Sequence, residues 1–206
     1  MNITPRQQTA IRLADQGAAD WVPHITLEDV QELAAAAQAQ ARGGKGERDA
    51  LLIQAIFDGC FRVSEALQLS PSTLHQNRDG WAAWITGKGG KRREVALSAS
   101  IAAMLQAYAY RQEIPPAARI FPIDKSRVFR IVDRAFNATG IQKPPHVGTV
   151  HVLRHSGAIA RLAATGNPKA IQDQLGHASA RMTLRYLKTL TAKESLRINQ
   201  GVDWKW

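Results

Sequence analysis

Arg62 and Arg154, the histidines at His151, His155 and His177, a lysine on the turn at residues 87–91 and Tyr186 give this 206-residue chain side chains suited to moving a phosphate. A guanidinium presents N–H donors in a planar fork that fits phosphate oxygens. Two arginines together can offset the charge that builds on phosphorus during substitution. A tyrosine hydroxyl, with an ordinary pKa of about 10, forms a phosphate ester once its proton is drawn off, and neighbouring cations favour that. Lysine or histidine can return a proton to a departing sugar oxygen. The inventory fits phosphodiester transesterification with neither metal nor ATP, so no cofactor is expected.

Spacing adds to residue type. His151, Arg154 and His155 stand at i, i+3 and i+4 and share one helix face. A zinc site on His151, His155 and His177 is a rival reading. It lacks the glutamate between the histidines of the zinc-protease motif, and Arg154 would place a cation beside the metal. The turn GKGGK, residues 87–91, lacks the G-x-x-x-x-G-K-[ST] layout and runs into a strand, which argues against a nucleotide loop. Taken alone, Arg62 reads as a helix-start arginine paired with Glu65.

The elements that must hold these residues are mostly helical. Thr26 with Asp29 makes a capping box that opens a helix to about Ala41. Further helices are expected from about Glu47 to Asp58, from Arg62 to Ser70, from Ser98 to Gln112 and from Ser126 to Ala138. Others follow from Val150 to Ala164, from Asn167-Pro168 to Gly176, from Ser179 to Leu190 and from Ala192 to Ile198. Between them the period changes. Trp81, Ala83 and Ile85 alternate, the turn at 87–91 follows, and Val95 and Leu97 alternate on the return strand. Thr73–Gln76 is a possible third strand. The fold class is therefore mainly α with a small antiparallel β-sheet (α+β). Residues 1–25 read as a lead-in, 26–190 as the catalytic domain and 191–206 as a C-terminal segment.

Composition narrows the partner. Lys and Arg number 27 against 17 Asp and Glu, a net charge of +10. Residues 1–44 hold 3 basic and 5 acidic residues, a balance of −2, so the other 162 carry 24 against 12, or +12. Such a surface suits a polyanion, either nucleic acid or an anionic membrane. One cysteine, Cys60, excludes an internal disulfide and a multi-cysteine metal site. No apolar run approaches a membrane span and the N-terminus lacks a secretory layout, so a cytoplasmic protein is expected.

In order along the chain, GCFRVSEAL, GKGGKRREV, HVLRHSGA, LGHAS and TLRYLK resemble the signature boxes of the tyrosine recombinase (phage integrase) family. They span residues 59–188, with His177 placed 26 residues beyond His151 and Tyr186 nine beyond His177. The resemblance implies that Arg62 and Arg154 clamp the scissile phosphate of double-stranded DNA. It implies that His151 binds that phosphate and assists proton transfer with the nucleophile, and that His177 hydrogen-bonds a non-bridging oxygen. Tyr186 would attack, leaving a 3′-phosphotyrosyl DNA and a free 5′-hydroxyl. Lys88 would protonate the departing oxygen, with Lys91 as competitor, and Glu65 would orient neighbours rather than react.

Lesser residues take plainer roles. His155 reads as a helix-packing or DNA-contacting residue. Cys60 stands where the family has a small residue, often glycine, and reads as buried packing. Arg127, Arg130 and Arg134 lie opposite Val128, Ile131, Val132 and Ala135; they are expected to contact the DNA backbone, as are Lys91, Arg92 and Arg93.

Only about 25 residues precede Thr26, too few for the helical DNA-binding domain that family members place ahead of the catalytic part. The length and the HVLRHSGA and IQDQLGH segments are similar to short fimbrial phase-variation invertases, and integrases of mobile elements with reduced N-termini fit equally. Paired recombination sites bound by cooperative dimers or tetramers are expected, with no membrane role. Residues 190–206, with Trp204 and Trp206 as anchors, are candidates for docking on a neighbouring subunit. A type IB topoisomerase-like nicking activity and a non-catalytic DNA-binding derivative are the alternative functions.

Overall fold

The computed structural model describes residues 24–87, 90–177, 183, 186 and 192–200. Thr26 caps helix α1 (Leu27–Gln40) as its capping residues predict: its hydroxyl accepts from the Asp29 N–H, and the Asp29 carboxylate accepts from the Thr26 N–H at 2.9 Å. Helix α2 (Gly46–Asp58) follows and is buried along most of its length. The helix expected from Arg62 to Ser70 is only one turn, α3 (Val63–Ala66), followed by a 3-10 turn at Pro71–Thr73. Pro71 cannot supply the N–H that would continue the ladder.

Strands β1 (Leu74–Asn77), β2 (Gly80–Thr86) and β3 (Arg92–Leu97) form an antiparallel sheet in the order β1-β2-β3, so the possible third strand is present. The register pairs Ala83 with Val95 and Ile85 with Arg93. Paired residues share a face, so Arg93, Val95 and Leu97 have inward parity, and Arg92 and Glu94 face out. On the outer face His75 stacks on Trp84 and bonds Glu94 at 2.6 Å, and the Arg92 guanidinium lies 5.0 Å from the Trp84 ring centre.

Helices α4 (Ala99–Arg111), α5 (Lys125–Thr139), α6 (His151–Thr165) and α7 (Pro168–Leu175) complete the architecture, with α8 (Ala192–Gln200) beyond them. Asp124, not Ser126, caps α5, accepting from the Arg127 N–H at 2.7 Å. The apolar faces of α1, α2, α4, α5 and the start of α6 meet the inner face of the sheet in one core. A second, smaller cluster joins Cys60, Ala158, Ile159, Leu162, Ile171 and Leu175 to the Tyr186 ring. Gln174 closes the sheet edge on α7: its amide accepts from the Ala96 N–H at 3.0 Å and donates to the Ala96 carbonyl at 2.9 Å, as a neighbouring strand would. Apart from Thr183 and Tyr186, the stretch 179–190 over which a helix is expected lies outside the described residues, as do Trp204 and Trp206. Helix α8 reaches the end of α6, where Arg197 donates to the Ala163 carbonyl. None of the described helices is long and apolar enough to cross a membrane.

Two helices that carry the site approach closely at Gly157. A Cβ there would stand 1.9 Å from the Phe57 carbonyl oxygen on α2. Gly157→Ala is therefore expected to force α6 away from α2 and lower stability by about 1–3 kcal/mol, read as a lower midpoint in urea unfolding.

Candidate active site

Glu65, on the single turn α3, organises the centre. It is 2% exposed. Its Oε1 accepts from Arg62 Nη1 at 2.8 Å and from Arg93 Nη1 at 3.1 Å. Its Oε2 accepts from Arg93 Nη2 at 3.1 Å, from Arg154 Nη1 at 3.3 Å and from the Arg62 backbone N–H at 2.9 Å. Burial alone would raise the Glu65 pKa. Hydrogen bonds from Arg93 and the Arg62 backbone outweigh it and hold the carboxyl below its ordinary value. One carboxylate thus anchors three guanidinium groups, an excess of positive charge aimed at one place.

The two clamp candidates differ in freedom. Arg154, in the first turn of α6, is 2% exposed and also donates to the Cys60 carbonyl at 2.6 Å and the Leu175 carbonyl at 2.8 Å. It ties the turn after α2 to the end of α7. Burial, then repulsion from Arg62, pushes its pKa down to about 10, which leaves it protonated at neutral pH. The Arg62 side chain is 39% exposed and spends one guanidinium N–H on Glu65, so most of its fork faces solvent. An anion arriving from outside meets Arg62 with its direction already set.

Cys60 is buried with φ of 50°, in the left-handed region that favours glycine. That explains why a small residue suits this turn. Burial pushes the thiol up to about 12, so Cys60 packs as a neutral group.

His155 takes a place that sequence reasoning did not give it. It is buried, which excludes a DNA contact in this arrangement, and its Nδ1 lies 2.5 Å from the Tyr186 hydroxyl oxygen. The residue next to Arg154, a clamp candidate, therefore touches the candidate nucleophile. His151 is exposed one turn earlier, its ring meeting that of His155 edge-on at 4.3 Å between centres. The signal is present in the i, i+4 spacing of the two histidines. Tyr186 is 1% exposed, its ring held between α6 and α7. His177, just past the end of α7, has Nδ1 3.0 Å from the Thr183 hydroxyl.

The remaining candidates are scattered. Lys88 lies outside the described residues, and Lys91 is exposed at the foot of β3. Arg93 does not share the outward position of Arg92; it turns inward onto Glu65, which occupies the guanidinium expected to touch DNA. Arg127 and Arg130 line a cleft with Lys45, Arg48, Arg119 and Asp124, and Arg127 and Arg134 line an adjoining hollow with Gln40, Arg42 and Lys45. Asp124 is spent on capping α5, and Arg48 is paired with Asp49 at 2.6 Å. The cleft is strongly cationic. Arg42, Lys45 and Arg119 join it from parts of the chain that periodicity does not connect.

Three arginines gathered on Glu65 and a histidine against a tyrosine hydroxyl are the geometry beside which the sequence match stands. The phage integrase family model fits residues 23–193. The chain belongs to the phage integrase family. Among curated relatives it is 33% identical over 147 residues to tyrosine recombinase XerC of Bradyrhizobium diazoefficiens, covering 68% of this chain and 45% of that protein. It is 32% identical over 178 residues to tyrosine recombinase XerD of Rhizobium meliloti, covering 81% and 57%. The chain spans about half the length of the curated relatives it matches. Its fold is shared with the catalytic domain of bacteriophage HP1 integrase, at TM-score 0.63 and 22% identity over 88% of this chain and 97% of that one. It is shared also with the XerH site-specific recombinase in a post-cleavage complex with palindromic difH substrate, at TM-score 0.68 and 23% identity, covering 90% and 54%. This member of the phage integrase family thus has the tyrosine recombinase catalytic fold: mostly helical, with a three-stranded sheet.

Proposed function

We propose that this chain is a site-specific recombinase of the integrase/invertase type that cleaves and rejoins double-stranded DNA through a 3′-phosphotyrosyl intermediate on Tyr186. One observation carries the reading: Arg154 is locked into a three-arginine centre on Glu65 while the adjacent His155 contacts the Tyr186 hydroxyl at 2.5 Å. The phosphate binds Arg62, Arg154, His151 and His177. Tyr186 oxygen bonds to phosphorus and the bond to the 5′ oxygen breaks. The tyrosine proton passes to His155, and the 5′ oxygen takes a proton from Lys88. Attack by a 5′-hydroxyl of the partner strand reverses every step, so the bond energy is conserved and no ATP is needed. That the XerH recombinase is bound to difH DNA after cleavage supports DNA as the substrate.

The test uses the whole chain with a pool of duplexes bearing a randomised core, in chelator and without nucleotide. Covalent complexes are captured under denaturing conditions and their DNA amplified. Enrichment of one sequence with a free 5′-hydroxyl at the break is expected. Enrichment only of non-covalent complexes would mark a binding protein, and relaxation of plasmids lacking the selected sequence would mark a topoisomerase-like activity.

The cationic cleft at the start of α5 supplies the backbone contact in this reading. Replacing Arg127, Arg130 and Arg134 by glutamine is expected to weaken binding to all sequences alike. Each arginine withdrawn from a phosphate should flatten the dependence of log affinity on log salt by about 0.9. Binding titrations at several salt concentrations read this directly; cleavage of already bound DNA should keep its rate.

A further inference from the structure

Arg93 is the residue in the centre to which no role in phosphate transfer has been given. It stands on β3 with inward parity and its guanidinium meets Glu65 with one N–H on each carboxylate oxygen, both at 3.1 Å. The same two oxygens each hold the guanidinium of one clamp arginine, Oε1 for Arg62 and Oε2 for Arg154, and Oε2 also takes the Arg62 backbone N–H. Its far side faces the turn that carries His177: Nη2 approaches the Gln174 carbonyl at 3.5 Å. A Cβ on Gly176, whose φ is +62°, would come within 2.9 Å of the guanidinium carbon. Strand β3, the turn α3 and the end of α7 therefore meet on this one side chain.

Resting on the reading of this centre as a phosphodiester cleavage site, we propose that Arg93 is a positioning residue. By bridging both oxygens of Glu65 it divides that carboxylate between Arg62 and Arg154, so neither clamp arginine is chelated and both keep donors for the phosphate. Without Arg93, the carboxylate is free to take a two-pronged bond to one clamp arginine, the geometry guanidinium and carboxylate prefer. That arginine would then be turned from the phosphate. Arg93 also adds charge: three guanidinium groups against one carboxylate leave two positive charges, matching the two negative charges of a pentacoordinate phosphorane. Lysine cannot substitute, because one ammonium cannot give parallel N–H bonds to two oxygens in a fixed plane.

The consequence is a defect in rate, not in affinity. In single-turnover cleavage of the captured duplex, nicked to trap the covalent complex, R93K and R93M are expected to slow adduct formation. The loss should be about tenfold to a hundredfold, smaller than removal of a donor that touches the phosphate. DNA affinity at fixed salt should stay within about threefold. If Arg93 acts through Glu65, the double variant E65Q/R93M should be no slower than the slower single variant, because both changes break the same element. The pH profile gives a separate readout. Glu65 faces Arg62, Arg93 and Arg154, and hydrogen bonding from Arg93 leads the forces that hold its carboxyl low, so the acid limb of the rate should move to higher pH in R93M. R93K keeps the charge and serves if R93M melts early. Multiplicative slowing in the double variant, an unshifted acid limb, or a loss of affinity that equals the loss of rate would overturn the proposal. No adduct with the unmodified chain would remove the cleavage reading and Arg93's role with it. Adduct in the unmodified chain with a failed cycle removes only the latter.

Discussion

Tyr186→Phe is expected to abolish covalent complex formation while leaving the fold and DNA binding in place. The two effects separate because the ring and the hydroxyl do different work. The ring packs with Cys60, Ala158, Ile159, Leu162, Ile171 and Leu175, and phenylalanine fills the same space. The hydroxyl makes the 2.5 Å contact with His155, whose loss costs about 1 kcal/mol of stability. Without oxygen, no bond to phosphorus can form, so the rate falls to background. Thermal melting, gel shift and a denaturing gel on one preparation read the three quantities. A variant that melts like the parent and still forms adduct would remove Tyr186 as nucleophile.

Arg154 should behave in the opposite way, losing stability and activity together. Arg154→Ala leaves the Cys60 and Leu175 carbonyls without their donor and strips Glu65 of one cation, all in the interior. Removing one partner of such a buried arrangement costs about 3–5 kcal/mol, a large share of the total for a domain of this size. Arg154→Lys keeps a charge yet cannot reach two carbonyls and a carboxylate at once. It is expected to fold with a lowered melting temperature and to cleave about a hundredfold to a thousandfold more slowly. The corresponding change at half-buried Arg62 should slow cleavage with little effect on melting. Equal melting losses at Arg62 and Arg154 would contradict the division between an open clamp arm and a buried one.

The contrast between these residues shows what the chain discloses before it is folded. Local signals carry most of the elements. Thr26 with Asp29, Asn167-Pro168 and the alternation around the 87–91 turn all reflect neighbours within a few residues, and the structure has a helix or strand at each. The helix expected beyond Arg62 shrinks to one turn, Val63–Ala66, and Pro71, which has no N–H to continue a helical ladder, opens a 3-10 turn instead. Side-chain partners are harder to read. Adjacency groups Arg93 with Arg92, although its step of two from Val95 places it on the buried face. His155 reads as a packing or DNA-contacting residue because its partner, Tyr186, lies 31 residues further along. The cationic cleft draws Arg42 and Lys45 from the turn after α1, Arg119 from the segment before α5 and Arg127 from α5 itself, a grouping only the tertiary fold makes.

The most direct measurement is the chemical identity of the protein–DNA link. The covalent complex trapped on the nicked duplex is digested, and the peptide bearing nucleotides is sequenced by mass spectrometry. The prediction is a phosphodiester joining the Tyr186 oxygen to a 3′ end, with a free 5′-hydroxyl on the released strand. Attachment at any other residue, or a link to a 5′ phosphate, would contradict it.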